Sequence, residues 1–147
     1  MYKRLLVAVD GSEQSYKALD HAVAIAEKCG SEIVLLTVIP PMIAPCFQDL
    51  KFGPTFNSKY YESVNEIYQN TLNDVYERAS TKHPNLNIRT ILREGRPSAN
   101  IVDVAEKEKC EMIVMGSRGI GGITGWMLGS TSRRVADSCK KPVLIIK

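Results

Sequence analysis

"MIVMGSRGIGGITGWMLGSTSRRV", residues 112–135, passes from one of the most apolar segments of the chain straight into its most flexible backbone. Five of the ten glycines fall between Gly116 and Gly125, Gly129 follows, and Ser130, Thr131 and Ser132 then precede Arg133 and Arg134. Read together, these are a buried strand, a ligand-facing loop and the start of a helix. Glycine lets backbone N–H groups converge on a ligand, because no side chain blocks approach and positive φ costs little. A helix opening after Gly129 would aim its free N–H groups, its positive dipole end and the three hydroxyls into the same space. That chemistry suits phosphate or another anion. The alternative is a flexible loop in which Ser130 or Ser132 is an ordinary helix cap.

Working outward, "LLVAV" (5–9), "EIVLLTVI" (32–39), "NIRTILRE" (87–94), "EMIVM" (111–115) and "PVLII" (142–146) are short runs rich in Val, Ile and Leu. They predict five strands, four of them apolar on both faces, as in a sheet covered on both sides. Between them the period becomes helical. Ala18, Leu19, Ala22, Val23 and Ala26 form one stripe, and Tyr61, Val64, Tyr68, Leu72, Val75 and Ala79 form another. Ile101, Val102 and Ala105 follow "RPSAN", and Val135, Ala136 and Cys139 follow "GSTS". Strand and helix alternating in this way imply an open, doubly wound α/β fold with a parallel sheet and right-handed crossovers. Such sheets bind ligands outside the carboxyl ends of their strands, where strand order reverses. "DGS" (10–12) follows the first strand as the glycine stretch follows the fourth, so the two face one crevice if those strands are neighbours.

Composition adds bounds. A chain of 147 residues, 44% hydrophobic and 24% charged, is the size and balance of one globular domain, 1–147. A formal charge of +3 argues for neither a nucleic-acid nor a membrane partner. The apolar run after "MYKR" is too short for a signal peptide, and no run reaches membrane-spanning length. Cys29, Cys46, Cys110 and Cys139 form no C-x-x-C pair and read as reduced, buried thiols of a cytoplasmic protein. Residues 40–57 fit neither period and hold four of the seven prolines, which suggests a mobile flap near the crevice.

Two common phosphate loops are disfavoured. "GWMLGST" (125–131) lacks the lysine and spacing of a Walker A loop, and "GIGGIT" (119–124) misses the G-x-G-x-x-G dinucleotide fingerprint. What fits is Gly116, two residues, Gly119, nine residues, Gly129 and Ser130. With "VAVDGS" at the start, "LLTVIP" at the second strand and "KPVLIIK" at the end, the chain resembles the universal stress protein family over its whole length, in its ATP-binding branch.

The resemblance implies a five-stranded parallel sheet of order 3-2-1-4-5, with helices on both faces and the first and fourth strands adjacent. It implies that Asp10 contacts ribose, that the Val38 backbone reads the adenine edge, and that Ala8 and Val9 wall the base. Met115 and Gly116 would begin the loop, Gly119 and Gly129 would let it close on the phosphates, and Ser130, Thr131 and Ser132 would donate to them. Mg²⁺ would be held through those phosphates. Family members also dimerise through the last strand, here 142–147, whose apolar residues sit at a sheet edge in that order.

Single residues have competing readings. Asp10 with Glu13 matches a capping box, a role compatible with ribose contact. Arg118, inside the loop, is better placed to neutralise phosphate than Arg133 or Arg134, which oppose the dipole of the last helix unless an anion sits there. Trp126 and Met127 read as packing or partner contacts, and His21 and His83 as structural or solvated. Three functions follow: a nucleotide-dependent stress or signalling module that holds ATP and reports to a protein partner, a slow ATP hydrolase or phosphotransferase, or a structural stress protein binding no nucleotide. The loop lacks a lysine, glutamate or histidine to orient a nucleophile, which favours binding over efficient catalysis.

Overall fold

The computed structural model describes residues 1–41, 54–119 and 127–147, with 54–58 as backbone alone. The elements alternate as the periodicities predict: β1 (Arg4–Ala8), α1 (Glu13–Cys29), β2 (Glu32–Ile39), α2 (Pro54–Lys82), β3 (Ile88–Glu94), α3 (Pro97–Lys107), β4 (Met112–Gly116), α4 (Ser130–Ser138) and β5 (Val143–Ile146). The strands form one parallel sheet in the order β3-β2-β1-β4-β5. β1 and β4 are therefore neighbours, with Ala8 opposite Met115. The proposed flap, 40–57, is helical from Pro54 onward, and its residues 42–53 lie outside the described residues.

Successive strand residues alternate between two cores, as the pleat requires. Leu5, Val7, Ile33 and Leu35 pack under α1 and α2 against Ala18, Leu19, Ala22, Val23, Leu72 and Val75. Leu6, Val34, Leu36 and Ile113 pack under α3 and α4 against Ile101, Val104, Ala105 and Val135. Each large side chain fully removed from water contributes about 1.5–3 kcal/mol, so the two-sided sheet is the main source of stability.

The stripe on α2 is buried only in part. Leu72, Val75 and Ala79 are buried, but Tyr61 is 45% exposed. With 29 residues α2 is roughly 43 Å long, whereas the seven residues of β3 span roughly 23 Å, so the first turns of the helix run past the carboxyl edge of the sheet.

At the amino edge an ion network ties four segments together. Glu32 accepts from Arg4 and, at 2.8 Å, from Arg89, whose other branch pairs with Glu108. Burial raises the Glu32 carboxyl, but the hydrogen bonds and charges of Arg4 and Arg89 outweigh it and hold the group below the ordinary carboxylate range. Beside this network Cys110 is fully buried, and burial pushes its thiol up to about 11. The expectation of buried thiols does not extend to Cys29, which is exposed at the last position of α1, and Cys46 lies outside the described residues.

Candidate functional site

The carboxyl ends of β1 and β4 lie side by side, where the strand order reverses and the crevice is expected. Beyond β1 the chain stays pinned to β2: Val9 N–H donates to the Leu36 carbonyl at 2.9 Å, and the Thr37 hydroxyl donates to the Val9 carbonyl at 2.9 Å. Asp10 is thus delivered at a fixed point. Its Oδ1 accepts from Ser12 N–H at 2.9 Å, a turn that leads into α1. The capping role belongs to Ser12, whose hydroxyl accepts from Ser15 N–H at 3.2 Å, so Asp10 is not the helix cap and Glu13 opens the helix.

The other carboxylate oxygen meets the glycine loop. A Cβ on Gly119 would overlap Asp10 Oδ2 and lie 3.6 Å from its Cγ. Gly116, the last residue of β4, is equally constrained: a Cβ there would fall 2.7 Å from the Cβ of Gln14 in the first turn of α1. At Gly129 it would fall 3.0 Å from the Ser117 carbonyl oxygen. Gly129 has φ −64°, and among the described residues the left-handed glycines are Gly11, Gly30 and Gly95. Close approach, not positive φ, therefore makes Gly119 and Gly129 glycines.

Gly129 is also the N-cap of α4, and among the described residues no side-chain hydrogen bond caps the helix. The N–H groups of its first turn consequently remain for an acceptor from outside the helix. Ser130 is exposed and Thr131 half-buried at this opening, whereas Ser132 is 2% exposed and donates to the Ser117 carbonyl at 2.8 Å. Arg118 is half-buried beside Gly119, and Arg133 and Arg134 are exposed on the first turn.

The apolar residues assigned to the base divide between the faces. Ala8, Val38 and Met115 share the face covered by α3 and α4, with Ala8 and Val38 half-buried at its carboxyl edge. Val9 packs with the opposite core, under α1 and α2, so its side chain does not join theirs. Trp126 lies outside the described residues, and Met127 is exposed. His83 bonds through Nδ1 to Glu27 at 2.7 Å, far in the fold from Asp10, and His21 is exposed on α1. The described residues hold no group of three or more His, Cys, Asp or Glu side chains suited to a metal ion.

This crevice sits on a chain whose residues 1–147 match the universal stress protein family model throughout. The chain belongs to the universal stress protein family. It is 33% identical to universal stress protein YxiE of Bacillus subtilis, with both chains covered in full. A universal stress protein, UspA from Lactobacillus plantarum, has the same fold, with a TM-score of 0.81 at 23% identity over 99% of this chain and 98% of that one. A universal stress protein solved in complex with cAMP is 26% identical with a TM-score of 0.67, covering 99% of this chain and 96% of that one. No helix among the described residues is long and apolar enough to cross a membrane.

Sequence reasoning missed Ser117 and Gln14. Neither belongs to the glycine spacing, and each matters through a contact between segments distant in sequence. Only the position of Ser117 directly after the fourth strand pointed toward it.

Proposed function

We propose that the chain binds an adenine nucleotide, ATP with Mg²⁺ carried on its phosphates, at the carboxyl ends of β1 and β4. It acts as a nucleotide-dependent stress or signalling module of the cytoplasm, paired as a homodimer through β5 and read by a protein partner. The observation that carries this reading is the meeting of Asp10 with Gly119: a carboxylate able to accept from a hydroxyl and a loop position without a side chain share one point. The uncapped start of α4 supports it by offering N–H groups and a positive dipole end beside that point. The cAMP complex of a relative supports the adenine nucleotide class.

Ribose would engage the Asp10 side of the crevice and the base would lie along Ala8 and the Val38 backbone. The phosphates would sit at Gly119, Gly129, Ser130 and Thr131, with Arg118 lending charge. Mg²⁺, when bound, would supply charge neutralisation between phosphate oxygens. Titration calorimetry with ATP, cAMP and adenosine, alongside a native mass spectrum of the purified protein, tests the reading. Saturable ATP binding that is tighter than adenosine binding is expected, and absence of any binding at about 1 mM, the weak end of specific affinity, overturns it.

A further inference from the structure

We propose that Ser132 is a positioning residue, not a phosphate donor: it holds the neck of the glycine loop closed through the Ser117 carbonyl. The ligand half of this inference rests on the nucleotide reading above; the structural half does not. A serine hydroxyl has one proton to donate. That of Ser132 goes to the Ser117 carbonyl at 2.8 Å, with the Gly129 carbonyl also within reach at 3.1 Å, and the residue is 2% exposed. Turning the hydroxyl toward a ligand would leave the buried Ser117 carbonyl with one of its two donors, which carries a cost.

Ser117 is fixed on its other side. Its N–H donates to the Ile146 carbonyl at 2.7 Å, which anchors it to β5, and its carbonyl also accepts from Gly129 N–H at 2.7 Å. Both lone pairs of the carbonyl are therefore filled by the far end of the loop, one from Gly129 and one from Ser132. Residues 117 and 129 are thereby clasped together at the sheet. The same clasp sets the direction in which the first turn of α4 points. Hydroxyl donation to phosphate then falls to Ser130 and Thr131, the two that reach solvent.

The test compares wild type, Ser132→Ala and Ser132→Thr by amide hydrogen exchange in ligand-free protein and by titration with ATP and with adenosine. Ser132→Ala is expected to speed exchange at the Gly129 amide and to weaken ATP binding by about fivefold, the worth of one ordinary hydrogen bond. Exchange in β1 and affinity for adenosine stay at wild-type values, and Ser132→Thr, which keeps the hydroxyl, stays near wild type in both readouts. Unchanged Gly129 exchange in Ser132→Ala together with weakened ATP binding would show that the hydroxyl touches phosphate directly and overturn the proposal. Equal losses for ATP and adenosine would overturn it as well, by showing a general destabilisation. If wild type binds no nucleotide, the functional reading fails, and the exchange at Gly129 still decides whether Ser132 closes the neck.

Discussion

The Asp10 carboxylate lies against the Cα of Gly119, so that a side chain at residue 119 and the acid at residue 10 compete for the same volume. Gly119→Val should weaken ATP binding at least about tenfold, roughly 1.4 kcal/mol, while the circular dichroism spectrum stays native. The coupling has a signature of its own. In an Asp10→Ala background the stability lost on adding Gly119→Val should be smaller than in wild type, because the overlapping carboxylate is gone. Equal losses in both backgrounds, measured by thermal denaturation, would show that the two residues do not contend.

Turnover should be slow. Asp10 is the carboxylate at the crevice, its Oδ1 is engaged by Ser12 N–H, and the described part of the loop offers no other base. A steady-state assay with Mg²⁺ and ATP should give less than about 1 s⁻¹, below the ordinary enzyme range. Faster hydrolysis, abolished by Asp10→Asn with binding retained, would make the protein an enzyme with Asp10 as its catalytic group.

The last strand should recruit a second copy. Val143, Leu144 and Ile145 are only half-buried although apolar, and β5 is an edge of the sheet with no further strand beside it among the described residues. Pairing about a two-fold axis would cover both. Light scattering on a sizing column should give twice the 16.3 kDa chain mass at micromolar loading, and Ile145→Pro, which removes an N–H facing away from β4, should shift the species to monomer or aggregate. A wild-type mass of one chain at every loading would refute the pairing.

Acid should loosen the amino edge of the sheet. The Glu32 carboxyl is held below its ordinary value of 4.5, so its contribution is intact above that pH and is lost as pH falls through the depressed folded value. Glu32→Gln should therefore lower the urea midpoint at about pH 7, and the gap to wild type should close as acid carries the solution below 4.5 and through the depressed folded value. A gap of constant size across that range would mean that the charge of Glu32 is irrelevant to stability.

Thiol reactivity should follow exposure. Cys110 is buried with its thiol raised to about 11, whereas Cys29 lies open at the end of α1. Alkylation at neutral pH followed by peptide mapping should label Cys29 readily in folded protein and Cys110 only after denaturation. Equal labelling of the two in native protein would contradict the packing around Cys110.

The fold was legible because its strands and helices carry different periods, and Leu5, Val34, Ala22 and Ile101 lie where those periods put them. Tyr61 belongs to the stripe by spacing yet remains exposed, since spacing records a helix face but not how far the sheet beneath it extends. At the site, the glycine spacing identified positions whose Cβ space is occupied, but not by what. That Gly129 is excluded by a carbonyl and not by backbone conformation depends on Ser117, twelve positions away. In the same way Asp10 and Ser12 are equally good caps in one dimension, and only the entry of the chain from β1 gives the helix to Ser12.

The ion network and the crevice occupy opposite ends of the same strands, about 16 Å apart along the five residues of β1. Perturbations at sites so separated combine almost independently. Arg4, Glu32, Arg89 and Glu108 can consequently drift among charged and uncharged alternatives, adjusting the protein to warmer, more acidic or saltier surroundings, while the ligand end stays unaltered. The two ends of the sheet are thus separable: one can be retuned by charge while the other keeps its shape.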